Sequence, residues 1–237
     1  MTMTLLLRCV APMQSWGTRS RFDERDTEHE PSKSGVIGLL CAALGRDRNT
    51  PLDDLAQLRM GVRVDREGRV AADYHTVQEI RPGQVEFDTL VSKRAYLADA
   101  AFLVGLEGSD AALLRQLHEA LRRPVWPLFL GRKAFVPAEP IRLLDGLQAI
   151  PLEEALRTYP SIDPWPPRRS DAQRQVRFVV ECRAGEPSAD TRRDTPVSFA
   201  LGARRFAARR VKTFFAPLPP RQEETHGDAP VSESAAV

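Results

Sequence analysis

Cysteine is scarce in this sequence, which contains three cysteines among 237 residues. Cys9, Cys41 and Cys182 are odd in number, widely spaced and set in apolar surroundings. This pattern favours reduced core thiols in a cytoplasmic protein over a disulfide framework. No CxxC pair and no cluster of histidines and cysteines occurs, so we predict neither a metal site nor a cofactor.

Long apolar runs are also missing, and no stretch approaches the roughly 20 residues that a membrane span requires. The short apolar run in "MTMTLLLRCVAP" has no basic region ahead of it, as a signal peptide would, and it is more typical of a buried first strand. The composition, with 42% hydrophobic and 28% charged residues, is that of an ordinary globular protein. We therefore expect a soluble cytoplasmic chain with no membrane partner.

Hydrophobic periodicity predicts two main helices and several strands. Apolar residues at helical spacing predict a helix that begins at about Ser34 and stops at Gly45, and "SDAALLRQLHEALRRP" predicts a second one capped by Ser109 or Asp110. Strand patterns occur in "TLLLRCVA", "RMGVRVDREGRVAADYHTV", "AYLADAAFLVGLEG" and "VWPLFLGRKAFVPAEPIR". The second of these alternates around Glu67-Gly68, which is typical of a two-strand hairpin. The order β-α-β-β-α-β predicts an α+β fold of the ferredoxin-like plan.

Changes in composition along the sequence divide the chain into three parts. We predict a ferredoxin-like domain over 1–145, a small basic β-rich unit over 146–220 and a disordered acidic tail over 221–237. "YPSIDPWPPRRS" is rich in proline, as in a linker or an extended lid. The polar stretch 78–94 could project from the first domain as a long hairpin or a loop.

The net charge of +2 hides an asymmetry along the chain. Residues 1–150 contain 20 basic and 20 acidic residues, whereas residues 168–212 contain 12 basic and 5 acidic residues, a local charge of +7. Such a stretch suggests a polyanionic partner, although a solvated basic face gives the same pattern. Both interpretations stay open at the level of the sequence.

The start of the first helix poses a problem of charge. Lys33 lies in its first turn, where a cation opposes the helix dipole by roughly 0.3–1 kcal/mol at an exposed site. The upstream glycine of a P-loop is missing, because position 28 is Glu, so nucleotide hydrolysis is not expected. The helix N-terminus with Ser32, Lys33, Ser34 and Gly35 is either a phosphate site of a more general kind or a simple cap.

One side of this helix is nearly bare, because Gly35, Gly38 and Ala42 recur on it. A bare stripe permits close approach of a backbone, either of the protein core or of a nucleic acid. Two nearby segments combine cations, amides and aromatic rings, which suit phosphates and unstacked bases or local loop packing equally. The candidate residues are Gln14, Ser15, Trp16, Arg19, Arg21, Phe22 and Arg25 in the first segment and Arg132 and Lys133 in "LGRKAF".

Several motifs follow one another in a recognisable order: "APMQSWG", "SRF", "PSKSGVIGLLCAALG", "GVRVDREG", "DYHTV" and "FLGRKAFVP". Together they resemble the CasD-type subunits (RAMP superfamily) of the type I-E CRISPR surveillance complex, Cascade. The likeness extends over most of residues 1–215, and the run from Pro31 to Gly45 is its most specific part. The resemblance implies a CRISPR RNA-binding subunit for antiviral defence with a ferredoxin-like (RRM-like) domain.

A subunit of this kind holds the 5′ repeat-derived handle of the CRISPR RNA and contacts the neighbouring backbone subunit and the large subunit. Target DNA is a further candidate partner. A thumb inserted in the domain would correspond to Gln78–Arg94, with Arg81, Lys93 and Arg94 as candidate subunit contacts. The resemblance also implies RNA contacts, and the residues that we assign to the RNA-binding site are Gln14, Trp16, Arg19, Arg21, Arg25, Ser32, Lys33, Ser34, Gly35, Arg132 and Lys133.

Catalysis is not predicted for this subunit, since in the type I-E arrangement another subunit cleaves the RNA. "DYHT" contains residues suited to general acid-base chemistry, but alternate strand positions would place Tyr74 and His75 on opposite faces of a sheet. Two alternative functions stay open: a metal-independent CRISPR repeat endoribonuclease and a protein-only scaffold subunit.

Overall fold

The fold combines eleven strands and four helices over the part of the chain that the structure, a computed structural model, describes, namely residues 2–18, 24–79, 88–165, 174–187 and 190–221. The strands are β1 (Met3–Val10), β2 (Met13–Gln14), β3 (Glu24–Arg25), β4 (Arg59–Arg66), β5 (Arg69–Glu79), β6 (Asp88–Ala98), β7 (Ala101–Gly108), β8 (Arg142–Gln148), β9 (Gln175–Glu181), β10 (Asp190–Ser198) and β11 (Arg205–Pro217). The helices are α1 (Lys33–Leu44), α2 (Asp53–Ala56), α3 (Ala111–Ala120) and α4 (Leu152–Thr158). The α+β class predicted from the sequence is confirmed.

A seven-stranded sheet in the order β10-β11-β9-β4-β7-β1-β8 forms the centre of the molecule. Helices α1 and α3 cover one face of this sheet and α4 covers the other. On β1, Leu5 and Leu7 pack with α1 and α3, whereas Leu6 and Val10 pack with α4. Burial on both faces explains why the first apolar run shows no alternation with polar residues.

Helix α1 begins and ends close to the predicted residues. Ser32 is the N-cap and accepts a hydrogen bond from the Gly35 N–H, and Gly45 at the C-terminal end takes the left-handed conformation with φ of 71°. Asp110 is confirmed as the cap of α3 and accepts hydrogen bonds from two backbone N–H groups. These local signals depend on a few adjacent residues, which is why the sequence suffices to place them.

No helix in the described segments is long and apolar enough to cross a membrane.

The three C-terminal strands continue the central sheet instead of forming a sheet of their own. β9 pairs with β4 in a register that places Val180 opposite Gly61, and β11 and β10 follow outward. The expected boundary at residue 145 falls inside β8, which pairs with β1. Hydrogen bonding therefore joins the predicted small unit to the first domain.

The hairpin predicted around Glu67-Gly68 is wrong, because β4 and β5 belong to different sheets. β4 lies between β7 and β9, so neither of its edges is free for β5. β5 instead pairs with β6 over its whole length, and β2 and β3 pair with β6 on the other side. The described residues of the polar stretch 78–94 thus belong to the antiparallel pair of β5 and β6. Residues 80–87, where the stretch is predicted to project, lie outside the described residues.

Two further strand predictions are corrected. The single strand predicted across 95–108 is divided between β6 and β7 at Asp99, which has φ of 57°. Residues 124–141 form a loop instead of a strand, and prolines at 127, 137 and 140 break any regular ladder in it. This loop is fixed by backbone hydrogen bonds from Ser15 N–H to Leu130 O (3.1 Å) and from Ala138 N–H to Val10 O (2.9 Å).

The first part of the proline-rich stretch is anchored to β4. The fully buried Arg63 donates to the carbonyls of Leu156 (2.7 Å) and Pro160 (2.8 Å) and is paired with Asp65 at 2.6 Å. Asp65 in turn accepts from the Ile162 N–H at 2.8 Å. Residues 156–162 are therefore part of the packed structure rather than a free linker.

Candidate nucleic-acid interface

A cleft of about 1000 Å³ runs along the bare side of α1. Its walls are the loop 126–136 on one side and the turn 199–206 between β10 and β11 on the other, and residues 15–17 close one end. Three segments that are distant in sequence therefore meet at α1. The residues near this helix that the sequence analysis singled out divide into those that line the cleft and those that face inward.

Three arginines are grouped near the end of the cleft at residues 15–17, and two of them, Arg25 and Arg132, line it. Arg25 on β3 and Arg94 on β6 occupy opposing positions of a strand pair, and Arg132 from the loop comes close to both. Burial lowers the pKa of Arg132, and the charges of Arg94 and Arg25 lower it further, against partial compensation by Asp73 and Asp26. Like charges at opposing strand positions are destabilising unless a counter-charge lies near them.

Arg132 is held in place by the surrounding protein. Its guanidinium donates to the Ala95 carbonyl at 2.7 Å and lies 5.4 Å from the centre of the Phe135 ring. Gly131 before it has φ of 95°, and a Cβ atom there would lie 1.7 Å from the Ser15 carbonyl oxygen. The glycine of "LGRKAF" thus permits approach of the protein's own backbone, which fixes the position of Arg132.

Lys133 and Ser34 are further predicted residues that line the cleft, as are Gly35 and the more deeply buried Ser15, Trp16 and Ser32. Lys133 is exposed and has no ion-pair partner in the described part of the chain, and Ser34 is half-buried in the cleft wall. Arg25 is exposed and likewise lacks an ion-pair partner among the described residues. These three residues and Arg132 are available to a ligand in the cleft.

Lys33 does not face the cleft, which corrects the prediction of a phosphate contact. Its side chain is 2% exposed, and its ammonium group lies 3.0 Å from a carboxylate oxygen of Glu181 on β9. Its backbone N–H donates to Asp194 on β10 at 2.7 Å, so a carboxylate already occupies the N-terminus of α1. Asp194 is itself paired with Arg209 at 2.6 Å. The charge problem at the start of α1 is thus solved by buried carboxylates from the C-terminal strands.

The ionisation of this buried cluster follows from its neighbours. Burial lowers the pKa of Lys33, and the charge and hydrogen bond of Glu181 offset part of that effect. Burial alone would raise the pKa of Asp194, but the hydrogen bond and charge of Arg209, with those of Lys33, leave it below its usual value. The charged groups of the cluster are thus committed to one another, and removing one of them would leave a buried charge without its partner.

Gln14 and Trp16 are also buried rather than exposed to a ligand. Gln14 donates to the carbonyls of Cys9 (3.1 Å) and Ala100 (2.8 Å), and it accepts from the indole N–H of Trp16 at 3.2 Å. The Trp16 ring packs on Gly35, where an added Cβ would lie 2.9 Å from the ring. Trp16 is 2% exposed, and Ser32 is buried as the cap of α1. The small residue at position 35 thus serves core packing, one of the two alternatives considered above.

The remaining predicted residues are distributed differently. Arg19, Arg21 and Arg81 lie outside the described residues. Lys93 and Arg94 lie on β6, where their backbone positions are opposite Tyr74 and Asp73 of β5. Several other residues line the cleft although no local sequence pattern marked them as candidates. These residues are Arg46, Arg48, Trp126, Phe129, Phe199, Arg204 and Phe206. Only the arginine-rich character of 168–212 pointed to any of them, namely Arg204.

The basic C-terminal stretch is largely compensated within the chain. Arg177 pairs with Glu30 (2.9 Å) and Glu67 (2.8 Å), and Arg192 also pairs with Glu30 (3.0 Å). Arg183 pairs with Glu107 at 3.2 Å, and Lys212 and Arg209 have carboxylate partners as well. Carboxylates that precede this stretch therefore offset part of the local +7, whereas Arg209 pairs with Asp194 inside the stretch itself.

The residues of the "DYHT" motif lie on β5, outside the cleft. His75 forms an ion pair with Asp73, two positions before it on the same face of the strand. Tyr74 is 70% exposed, and its position on the strand places it on the opposite face. Within the described segments, no three His, Cys, Asp or Glu residues are grouped so that they could hold a metal ion.

Comparisons with known proteins give one consistent result. A family model described as CRISPR-associated protein (Cas_Cas5) matches residues 4–212. The CRISPR system Cascade subunit CasD of Escherichia coli (strain K12) is 34% identical over 171 residues, which cover 65% of this chain and 76% of that protein.

Two solved structures have the same overall architecture. One, described as the crystal structure of a Cas protein, is 45% identical with a TM-score of 0.71 and covers 92% of this chain and 98% of its own. The other, described as a CRISPR RNA-guided surveillance complex, is 36% identical with a TM-score of 0.77 and covers 91% of both chains. The chain therefore belongs to the Cas5 family of CRISPR-associated proteins.

Proposed function

We propose that this chain is a non-catalytic CRISPR RNA-binding subunit of a type I-E Cascade-like surveillance complex. It holds the 5′ repeat-derived handle of the RNA in the cleft along α1. The observation that carries this assignment is the pair of arginines, Arg25 and Arg132, that line one end of the cleft, with Arg94 opposite Arg25 in the adjoining strand pair. A phosphate between these guanidinium groups removes their mutual repulsion and gains charge-assisted hydrogen bonds.

The topology supports an RNA-binding domain of the ferredoxin-like, RRM-like kind. The four strands β4-β7-β1-β8 are antiparallel, and α1 and α3 connect them on one face. This is the order expected for a β-α-β-β-α-β unit. Both faces of the sheet are covered by helices, so we place the RNA in the cleft beside α1 rather than on the face of the sheet.

The hairpin of β5 and β6 is the proposed thumb. It has its own small sheet with β2 and β3, and it carries exposed apolar residues that include Tyr74 and Val91. We assign its outer part, with Lys93, to contacts with the neighbouring backbone subunit, and Arg94, whose charge acts on Arg132, to the side nearest the RNA. The large subunit and target DNA are the remaining proposed partners. CasD and the surveillance complex named above support membership of such an assembly.

The proposed role does not include cleavage of the RNA. An acid-base mechanism needs two groups that converge on one phosphate, whereas Tyr74 and His75 lie on opposite faces of β5. His75 also lies outside the residues that line the cleft. We therefore expect bound RNA to stay intact.

Binding of a fluorescent single-stranded handle RNA by the full chain, at several salt concentrations, tests this proposal. The double variant Arg25→Glu/Lys133→Glu should weaken binding and reduce the salt dependence by about 0.7 log units per lost phosphate contact. Arg115→Glu/Arg123→Glu is the control matched in charge, because both arginines are exposed and lie outside the cleft. Equal binding by the double variant and the control would place the RNA elsewhere.

The same experiment separates the two alternative functions. A scrambled RNA sets the level of nonspecific binding, and gel analysis of the recovered RNA detects cleavage. RNA that is cut by the wild-type chain and spared by His75→Ala would favour the endoribonuclease. Absence of RNA affinity at every salt concentration would favour the protein-only scaffold.

A further inference from the structure

The opposite end of the cleft carries an exposed tryptophan that the proposed phosphate contacts do not use. Trp126 lines the cleft and is 58% exposed. Its neighbours in the cleft wall include Ala42 and Gly45, from the last turn and C-terminal cap of α1. The arginine group lies near the N-terminal part of α1. At 1.5 Å per residue, the ten residues from 35 to 45 separate the two ends by roughly 15 Å.

The backbone of Trp126 is held rigidly. Its N–H donates to the Ala42 carbonyl at 3.1 Å, and the Val125 N–H donates to the Ala43 carbonyl at 3.0 Å. The Val125 side chain fits against Gly45, where an added Cβ would lie 2.8 Å from it. Two hydrogen bonds to the end of a helix and a close packing contact thus fix the base of an otherwise exposed side chain.

The indole ring of Trp126 is largely exposed in the cleft. Among the described residues, no aromatic ring and no cation packs on Trp126, whereas the other two tryptophans are accounted for. Trp16 is buried and hydrogen-bonded, and Trp165 lies under the Arg66 guanidinium at 5.9 Å. An exposed aromatic ring on a fixed backbone, set in a cleft, is a feature on which unpaired bases stack.

The charges around Trp126 distinguish a nucleic acid from an apolar partner. Arg48 is exposed at the same end of the cleft and has no ion-pair partner in the described part of the chain. Arg46 is bound in a bidentate pair to Asp54, and Asp47 contributes one opposing carboxylate. Arg204 lines the facing wall and is also exposed. An unpaired cation at the same end of the cleft as an exposed ring fits a nucleotide, which offers a base and a phosphate together.

We infer that Trp126 is a stacking platform for an unpaired base of the bound RNA, with Arg48 beside it for a phosphate. This inference rests on the proposed function and extends it, because it adds a second recognition point more than one nucleotide away from the arginine group. The contact is made through the π-face of the base, so it tolerates any base at that position.

The test compares Trp126 with Trp165, which is exposed to a similar extent, 55%, and lies outside the cleft. Binding of a fluorescein-labelled single-stranded RNA of about ten nucleotides is measured with the full-length wild type and with Trp126→Ala, Trp126→Phe and Trp165→Ala. Trp126→Ala should weaken binding roughly 5- to 150-fold without changing the salt slope, because no charge is lost. Trp126→Phe should retain much of the affinity, and Trp165→Ala should bind as wild type.

Fluorescence of the protein gives an independent readout. In Trp165→Phe, the exposed emission comes from Trp126, and bound RNA should quench it, whereas Trp126→Phe should show no such quenching. Wild-type affinity in Trp126→Ala, with RNA binding otherwise intact, overturns the stacking site and leaves the proposed function standing. An equal loss of RNA affinity in Trp126→Ala and Trp165→Ala would also overturn the stacking site. Absence of RNA binding by the wild type contradicts the proposed function itself.

Discussion

At the scale of single residues, burial rather than residue type decides the role of the basic side chains. Lys33 and Arg63 are among the largest fully buried side chains, and each is bound to carboxylates or carbonyls. Arg25 and Lys133 have the same charge but lie exposed at the cleft. A cation that is already paired in the interior cannot serve a ligand without breaking the pair, which costs about 3–5 kcal/mol.

Lys33 provides the test at this scale. Lys33→Met should lower the free energy of unfolding by about 3 kcal/mol, because Glu181 loses its nearest cation. Lys33→Glu should be worse, since it adds a carboxylate beside Glu181 and Asp194. Urea unfolding followed by circular dichroism measures both. A Lys33→Glu protein that is as stable as wild type but binds no RNA would contradict this structural role and support a phosphate contact instead.

At the scale of elements, α1 combines a packing surface with a wall of the cleft. Its bare stripe has two different causes along its length. Gly35 is required by the Trp16 ring, whereas an added Cβ at Gly38 would meet only Phe199 at 3.9 Å, an ordinary contact distance. The stripe is thus needed for core packing at one end only.

The two glycines predict opposite effects of the same substitution. Gly38→Ala should raise the free energy of unfolding by about 0.5–1 kcal/mol, because alanine has the higher helix propensity. Gly35→Ala should lower it by about 1 kcal/mol, because the clash with the buried Trp16 ring outweighs that gain. Thermal unfolding of the two variants beside wild type measures the difference. Equal shifts in both variants would show that Trp16 can move aside.

At the scale of the whole molecule, the N-terminal and C-terminal parts are joined by ion pairs as well as by the sheet. Arg177 and Arg192 reach Glu30, and Lys212 reaches Glu153 on α4. The hydrogen bonds that Arg177 donates to Glu67 and Glu30, together with the charges of these carboxylates, raise the pKa of Arg177 despite its partial burial. The excess of basic residues in 168–212 therefore serves the fold to a large extent. The unpaired cations of the described residues at the cleft are left for a polyanion.

Acid should weaken the ion pairs that join the two parts of the chain. The lowered pKa of Glu153 shows that the free energy of unfolding should fall as the pH falls. The hydrogen bond from Arg59, with help from Lys212, lowers the pKa of Glu153 from 4.5 to about 2 although partial burial opposes the shift. The unfolded chain then binds more protons than the native chain, so this stabilisation is complete above about pH 4.5 and is lost as the pH falls towards 2. Its size is on the order of 2 kcal/mol.

Urea unfolding of wild type and Glu153→Gln between about pH 7 and pH 2 measures the effect. The variant should be less stable at neutral pH and should show a shallower decline in acid. Glu119→Gln is the control, because Glu119 pairs with Arg122 on the exposed side of α3, where water and salt screen the pair. Parallel pH profiles for wild type and Glu153→Gln would contradict the assignment.

Features that depend on neighbouring residues and on recognisable motifs could be predicted from the sequence alone. The span of α1 with its stop at Gly45, the cap Asp110, the α+β class and the likeness to the CasD-type subunits all follow from short stretches of chain. The sequence also predicts Arg25, Arg132 and Lys133 as RNA contacts, and the structure places these three residues at the cleft.

Only the tertiary structure decided which partners distant residues meet. Lys33 is paired with Glu181, 148 positions away, and its backbone N–H with Asp194, 161 positions away. The strand partner of β5 and the burial of Trp16 depend in the same way on contacts that no local pattern encodes. The cleft exists because three remote segments meet at α1. Its ligand-facing side chains are those that this packing leaves unpaired, which is the physical reason why the sequence alone misassigned Lys33 and did not single out Trp126.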